Sequence, residues 1–145
     1  MKKYTRMLSI LLAMCLLFAV PVSAETGAQA RGSAYFAAHN AFLSKVDSST
    51  FKIWFDITAT GTMQILGVDS IEVDRSPDGE TWTLMRTYDS DDYSQMLCEN
   101  TAFHSGYITY RYATPGYYYR AYITFYAKNS SGSAKLFRYT TKLKL

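Results

Sequence analysis

The chain has 145 residues, 13 of them tyrosine, with 15 basic and 12 acidic side chains and a formal charge of +3. Lys2, Lys3 and Arg6 account for the whole excess, so the rest of the chain is neutral and net charge gives no ground for a nucleic-acid partner. Cysteine occurs only as Cys15 and Cys98, which excludes a multi-disulfide framework.

Residues 1–24 read as a signal peptide. The cationic start is followed by an almost unbroken apolar run over residues 7–20, then Pro21-Val22-Ser23-Ala24, with small residues where a signal peptidase cuts. Cleavage is expected after Ala24. The run falls short of the roughly 20 residues that span a bilayer, so no membrane span is expected and the product is secreted, extracellular. Cys15 lacks the setting of a lipid-attachment site, because Met14 precedes it and it sits mid-run. After cleavage only Cys98 remains, so no intramolecular disulfide can form, a pattern commoner in bacterial exports. Residues 25–33 are small and polar, a flexible lead-in. Residues 34–145 are expected to form one domain, long enough to bury its own core.

Residues 34–46 fit a helical stripe nearly as well as a strand. An edge strand is expected, with Phe36, Ala38, Phe42 and Val46 on one face. Residues 51–60 alternate cleanly: Phe51, Ile53, Phe55, Ile57 and Ala59 point to the core, Lys52, Trp54, Asp56, Thr58 and Thr60 away from it. Gly61 and Gly67 bracket a connection. Residues 68–76 turn Ile71 and Val73 inward. Ser76-Pro77-Asp78-Gly79-Glu80 then forms a hairpin turn, proline fixing φ early and glycine accepting positive φ late. Residues 81–88 return with Trp82 and Leu84 inward. The pattern dissolves over residues 89–105, a long loop that is either functional or hides a short helical turn anchored by Met96 and Leu97. Strands are expected again over residues 107–112, 117–128 and 134–143.

The most informative of these is 117–128. Tyr119, Ala121, Ile123, Phe125 and Ala127 share one side; Tyr118, Arg120, Tyr122, Thr124, Tyr126 and Lys128 share the other. Phe137 is placed in the core from the last strand. Seven short strands with turn signals between them predict an all-β, immunoglobulin-like antiparallel β-sandwich.

Pro115-Gly116, then Tyr119, Ala121, Ile123, Phe125, Asn129 and Gly132, resembles the penultimate strand of fibronectin type III domains. Ile71-Glu72-Val73-Asp74-Arg75-Ser76-Pro77-Asp78-Gly79-Glu80-Thr81-Trp82 is similar to the middle hairpin of bacterial modules of that type. The resemblance spans residues 51–141 and departs at the 89–105 loop and the first strand. It implies that Tyr119 is a structural "tyrosine corner", buried, with its hydroxyl bonded to backbone just upstream. The segments WFDITATGTM, TWTLMRTY and FHSGYITY also resemble a family of small secreted Gram-positive bacterial proteins of uncharacterised function. That likeness implies location and fold, not chemistry.

Candidate chemistry is sparse. Asp89, Asp91 and Asp92 could offer oxygens to Ca²⁺, yet the spacing lacks the glycine and the terminal glutamate of a calcium loop, and a solvated acidic loop is the plainer reading. His104 beside Ser105 could suggest a hydrolase, but no nucleophile motif accompanies them, and His104 is expected to hydrogen-bond the long loop onto the fold. Cys98 is expected to be buried. No motif implies a cofactor. The strongest binding candidate is the outward stripe of Tyr118, Arg120, Tyr122, Tyr126 and Lys128, whose tyrosines recur about 13 Å apart. Such a stripe can stack sugar rings or simply cover the sheet through cross-strand and cation–π pairs.

Charge divides along the chain. Residues 69–99 carry nine acids against Arg75 and Arg86, whereas residues 100–145 carry seven basic residues and no acid. Pairing between the two blocks is expected. With no catalytic constellation, the expected function is a secreted non-enzymatic binding or interaction module for a cell-surface glycan or protein. The alternatives are a structural surface or stress protein, and a small hydrolase built on His104.

Overall fold

The structure, a computed structural model, describes residues 34–145. The expected signal peptide (1–24) and lead-in (25–33) lie outside the described residues. The described chain is all-β and antiparallel, with seven strands: β1 (Phe36–Lys45), β2 (Phe51–Ser76), β3 (Thr83–Asp89), β4 (Leu97–Tyr110), β5 (Tyr118–Asn129), β6 (Gly132–Tyr139) and β7 (Leu143–Lys144). A 3₁₀ turn, Ser94–Met96, precedes β4. Among the described residues no helix is long and apolar enough to cross a membrane.

Everything is organised around β2, which changes partners along its 26 residues. Its first half lies between β1, in register from Lys45↔Phe51 to Phe36↔Ala59, and β4, from Phe51↔Tyr110 to Thr58↔Phe103, a pairing that resumes from Met63↔Thr101 to Gly67↔Leu97. Its second half lies between β5, from Ile65↔Lys128 to Ser76↔Tyr118, and β3, from Ser70↔Asp89 to Arg75↔Thr83. β6 extends the sheet beyond β5, and β7 pairs with the start of β5. The expected break at Gly61 is therefore absent. The glycine sits inside a continuous strand, with open space where a Cβ would be. What marks the transition is a register irregularity with β4 between Thr58 and Met63. The buried positions then shift phase, from Met63 to Leu66 and Val68, and a bulge between Val68 and Ser70 shifts them back to Ile71 and Val73.

The expected strand count is right, but its make-up is not. Two predicted strands fuse into β2, and the final predicted strand splits into β6 and β7. The expected 89–105 loop is mostly strand. A turn in which Asp92 and Tyr93 N–H bond to the Asp89 carbonyl leads to the 3₁₀ turn, and β4 starts at Leu97. Met96 anchors that turn, fully buried.

Phe51, Ile53, Phe55, Ile57, Ile71, Val73, Tyr119, Ala121, Ile123 and Phe125 are all in the core, as alternation placed them. Phe51 joins its parts, its ring centroid lying 5.0 Å from Tyr110 and 5.2 Å from Tyr119. Three predicted core residues are not there. Leu84 is exposed, Trp82 is half-buried and Phe137 is 56% exposed. Leu84 stands opposite Asp74 after a bulge at Val73/Asp74, which turns it to the outer face. In β1, a bulge between Phe36 and Ala38 has the same effect: Ala41 is buried with Leu43 packed against the core, while Phe42 and Val46 are exposed. Cys98 is half-buried rather than buried, its sulfur near the Glu99 carbonyl.

The Ser76–Thr81 turn is held by one carboxylate. Asp78 accepts from the Ser76 hydroxyl at 2.7 Å and from Glu80 and Thr81 N–H at 2.8 Å each. These donors, the Thr81 N–H foremost, hold its carboxyl far below the usual range. Gly79 takes φ +80°, the left-handed conformation glycine adopts without cost.

Candidate functional site

The alternation of β5 puts Tyr119, Ala121, Ile123, Phe125 and Ala127 in the core and leaves Tyr118, Arg120, Tyr122, Tyr126 and Lys128 on the opposite face, where Thr124, opposite Phe137, is buried too. That face does not behave as one even stripe. It divides into three groups, set by what stands across from each tyrosine on the neighbouring strands.

The central group is the largest. Tyr122 lies opposite Tyr139 of β6, their centroids 4.6 Å apart. Phe137, one step along, stacks on Tyr122 at 5.9 Å with planes only 6° apart. Beside them Arg120 donates from Nε to Asp74 Oδ2 at 3.0 Å, and its guanidinium lies 4.2 Å from both Trp82 and Tyr139. Phe137 and Tyr139 remain 56% and 49% exposed, so the cluster presents apolar ring surface next to a fixed cation. At one end of β5, Tyr118 sits among ammonium groups, Lys142 at 5.5 Å and Lys144 at 5.0 Å. At the other, Lys135 lies 5.9 Å from Tyr126 and bridges to Asp69 at 2.6 Å.

Phe137, Tyr139 and Trp82 are the residues that sequence reasoning missed. A signal for the first two was present. Asn129 pairs with Gly132 across a two-residue turn, and counting back from it sets Tyr126 against Lys135, Thr124 against Phe137 and Tyr122 against Tyr139. Residues directly opposite in an antiparallel pair share a face, so the outward tyrosines carry Phe137 outward with them.

The other candidates come apart. Asp89, Asp91 and Asp92 are all exposed around their turn, and among the described residues no group of three His, Cys, Asp or Glu side chains is placed to hold a metal ion. His104 donates from Nε2 to the Gln95 carbonyl at 3.0 Å and its ring lies 5.6 Å from Phe55, so it ties the 3₁₀ turn to β4 as expected. Ser105 is its neighbour on the same strand and therefore points to the other side, opposite Asp56.

The charge blocks meet as expected in two places. Arg120–Asp74 and Lys135–Asp69 each join a base from the C-terminal block to an acid of the middle block.

No known family model, curated protein or solved structure matches the chain. Fold and site together define an all-β protein with an aromatic, cation-bearing face on β5 and β6.

Proposed function

We propose that the protein is a secreted, non-enzymatic binding module of the fibronectin type III-like sandwich type, exported by the signal peptide at residues 1–24. On this reading the outer β5–β6 face binds a cell-surface glycan or protein. The strand pairing supports the fold: β1, first-half β2 and β4 form one group and β3, second-half β2, β5 and β6 another, joined where Ile65, Leu66 and Gly67 pair with both β4 and β5, a grouping that suits that architecture. The buried Tyr119, bonded to backbone five residues upstream, supports it further as a tyrosine corner.

The observation that carries the binding reading is the exposed ring surface of Phe137 and Tyr139 around Tyr122, with Arg120 immobilised beside it. Flat aromatic surface next to a donor suits the C–H face and hydroxyls of a sugar ring, and such rings cost little conformational entropy to order. A glycan array probed with the secreted protein tests this. Specific retention that is lost in Tyr122→Ala supports it; no retention of any glycan, with no surface protein recovered by crosslinking on intact cells, removes it.

A second reading has one observation in its favour. Every tyrosine of the stripe already has a ring or cationic neighbour within the chain, which is what a purely structural surface protein would need.

A further inference from the structure

β3 and β4 each pair with β2 alone, and residues of both line a cavity of about 340 Å³. Two arginines line it, Arg86 from β3 and Arg111 just beyond β4, and no acidic residue does. Arg86 is fixed in place without an acid. Its Nη2 donates to the Tyr93 hydroxyl at 3.3 Å, and its guanidinium lies 4.9 Å from the Tyr88 ring and 5.7 Å from the Tyr112 ring. Among the described residues the ion pairs are Arg120–Asp74 and Lys135–Asp69, and neither involves this pocket.

A guanidinium has five N–H donors, and Arg86 uses one on Tyr93. Two such groups on one concave surface, with no counter-charge, are best satisfied by an oxyanion. Burial pushes the Tyr88 hydroxyl up to about 12, so it stays protonated at neutral pH. The pocket is larger than a bare inorganic anion requires and falls in the size range of small-ligand sites, roughly 300–1,000 Å³. Its aromatic walls and the Gln95 amide suit the apolar face and hydroxyls of a sugar.

An aromatic row adjoins the cavity, with Lys52 Nζ over it, 4.1 Å from the Tyr107 ring and 5.4 Å from Trp54. Tyr107 lines the cavity and lies 4.7 Å from Trp54, which lies 6.3 Å from Phe42 with planes 12° apart. Phe42↔Trp54 and Trp54↔Tyr107 are directly opposed pairs, so the three rings form a row across β4, β2 and β1. Phe42 and Tyr107 are over 40% exposed.

We propose that this pocket binds a carboxylated sugar, a uronate unit of an acidic polysaccharide, with its carboxylate on Arg86 and Arg111 and adjoining sugars over Tyr107, Trp54 and Phe42. The site is separate from the β5–β6 face and does not depend on it. Calorimetric titration of the protein with oligogalacturonate, with an uncharged oligogalactose of equal length and with inorganic phosphate tests it. Oligogalacturonate should saturate one site, more weakly as salt rises. Arg111→Gln, which removes an exposed side chain, should weaken binding roughly tenfold or more at unchanged melting temperature. Tyr122→Ala should leave this binding intact. The proposal fails if oligogalacturonate does not bind, if oligogalactose binds Tyr122→Ala as tightly as oligogalacturonate does, or if Arg111→Gln has no effect. Phosphate binding as tightly as oligogalacturonate would overturn the sugar assignment.

Discussion

Thr114 donates its backbone N–H to the Tyr119 hydroxyl at 2.7 Å, tying the turn before β5 to a side chain that is fully buried. The tyrosine thus does two jobs: its ring packs against Phe51 and Tyr110, and its oxygen satisfies a part-buried donor. Tyr119→Phe keeps the ring and should cost about 1–3 kcal/mol, since the Thr114 N–H loses its partner. Tyr119→Ala also leaves a cavity and should cost about 3–5 kcal/mol. Urea melts with equal slopes for both variants check the two values.

Phe137 and Phe125 test the corrected face assignment. Phe125 is fully buried and opposes Leu136, whereas Phe137 is mostly exposed. Phe125→Ala should lose about 3–5 kcal/mol, and Phe137→Ala about 1 kcal/mol or less, the worth of its stacking on Tyr122. Chemical denaturation separates them readily; equal losses would put Phe137 back in the core.

Gly67 sits where β2 meets the start of β4 and the 3₁₀ turn. A Cβ there would overlap the Met96 carbonyl oxygen, a backbone atom that cannot swing away. Gly67→Ala should therefore cost about 3 kcal/mol or more and loosen the turn. Hydrogen exchange should show the loss concentrated at residues 94–98, with β5 and β6 protected until global unfolding.

His39 links β1 to β6. It lies on β1, its ring 5.4 Å from Phe125, and Arg138 of β6 donates to its Nδ1 at 3.4 Å. Burial, then the Arg138 charge, lowers its pKa, while Asp56 opposes them. The unfolded chain therefore binds the proton more readily. The stabilising effect of neutral His39 is complete above the ordinary imidazole pKa and is lost as pH falls through the folded value. Melting temperatures between about pH 7 and pH 5 should fall more steeply for the wild type than for His39→Gln. Parallel curves would contradict this.

Much of this fold was legible in the sequence where alternation runs unbroken. Phe51 to Ala59 and Tyr119 to Ala127 declare their buried face without help, because no bulge interrupts either set. Legibility failed where an extra residue changes the phase. The bulges at Phe36/Ala38 and Val73/Asp74 reverse the meaning of a period-two pattern, so Phe36 and Phe42 do not share the face that alternation gives them, and Leu84, expected inward, turns outward. β4 was hidden for another reason. Its first six residues mix polar and apolar side chains, and more and less exposed positions do not alternate there. The candidate site was half legible. Outward tyrosines on β5 follow from alternation, but Phe137, Tyr139 and Trp82 join them through pairing and a loop. The Arg86–Arg111 pocket could not be read at all, because its walls come from two segments, residues 86–95 and 107–112, that meet only when β3 and β4 both pair with β2.

The central claim is that the β5–β6 face is a binding surface. Its most direct test is to map backbone amide shifts while titrating the nitrogen-labelled protein with whichever uncharged glycan or surface protein it retains. Shifts concentrated at Trp82, Arg120, Tyr122, Phe137 and Tyr139, and abolished by Phe137→Ala in a protein that still folds and melts cooperatively, are the predicted result. Shifts that cluster elsewhere, or binding that survives Phe137→Ala and Tyr122→Ala together, would contradict it.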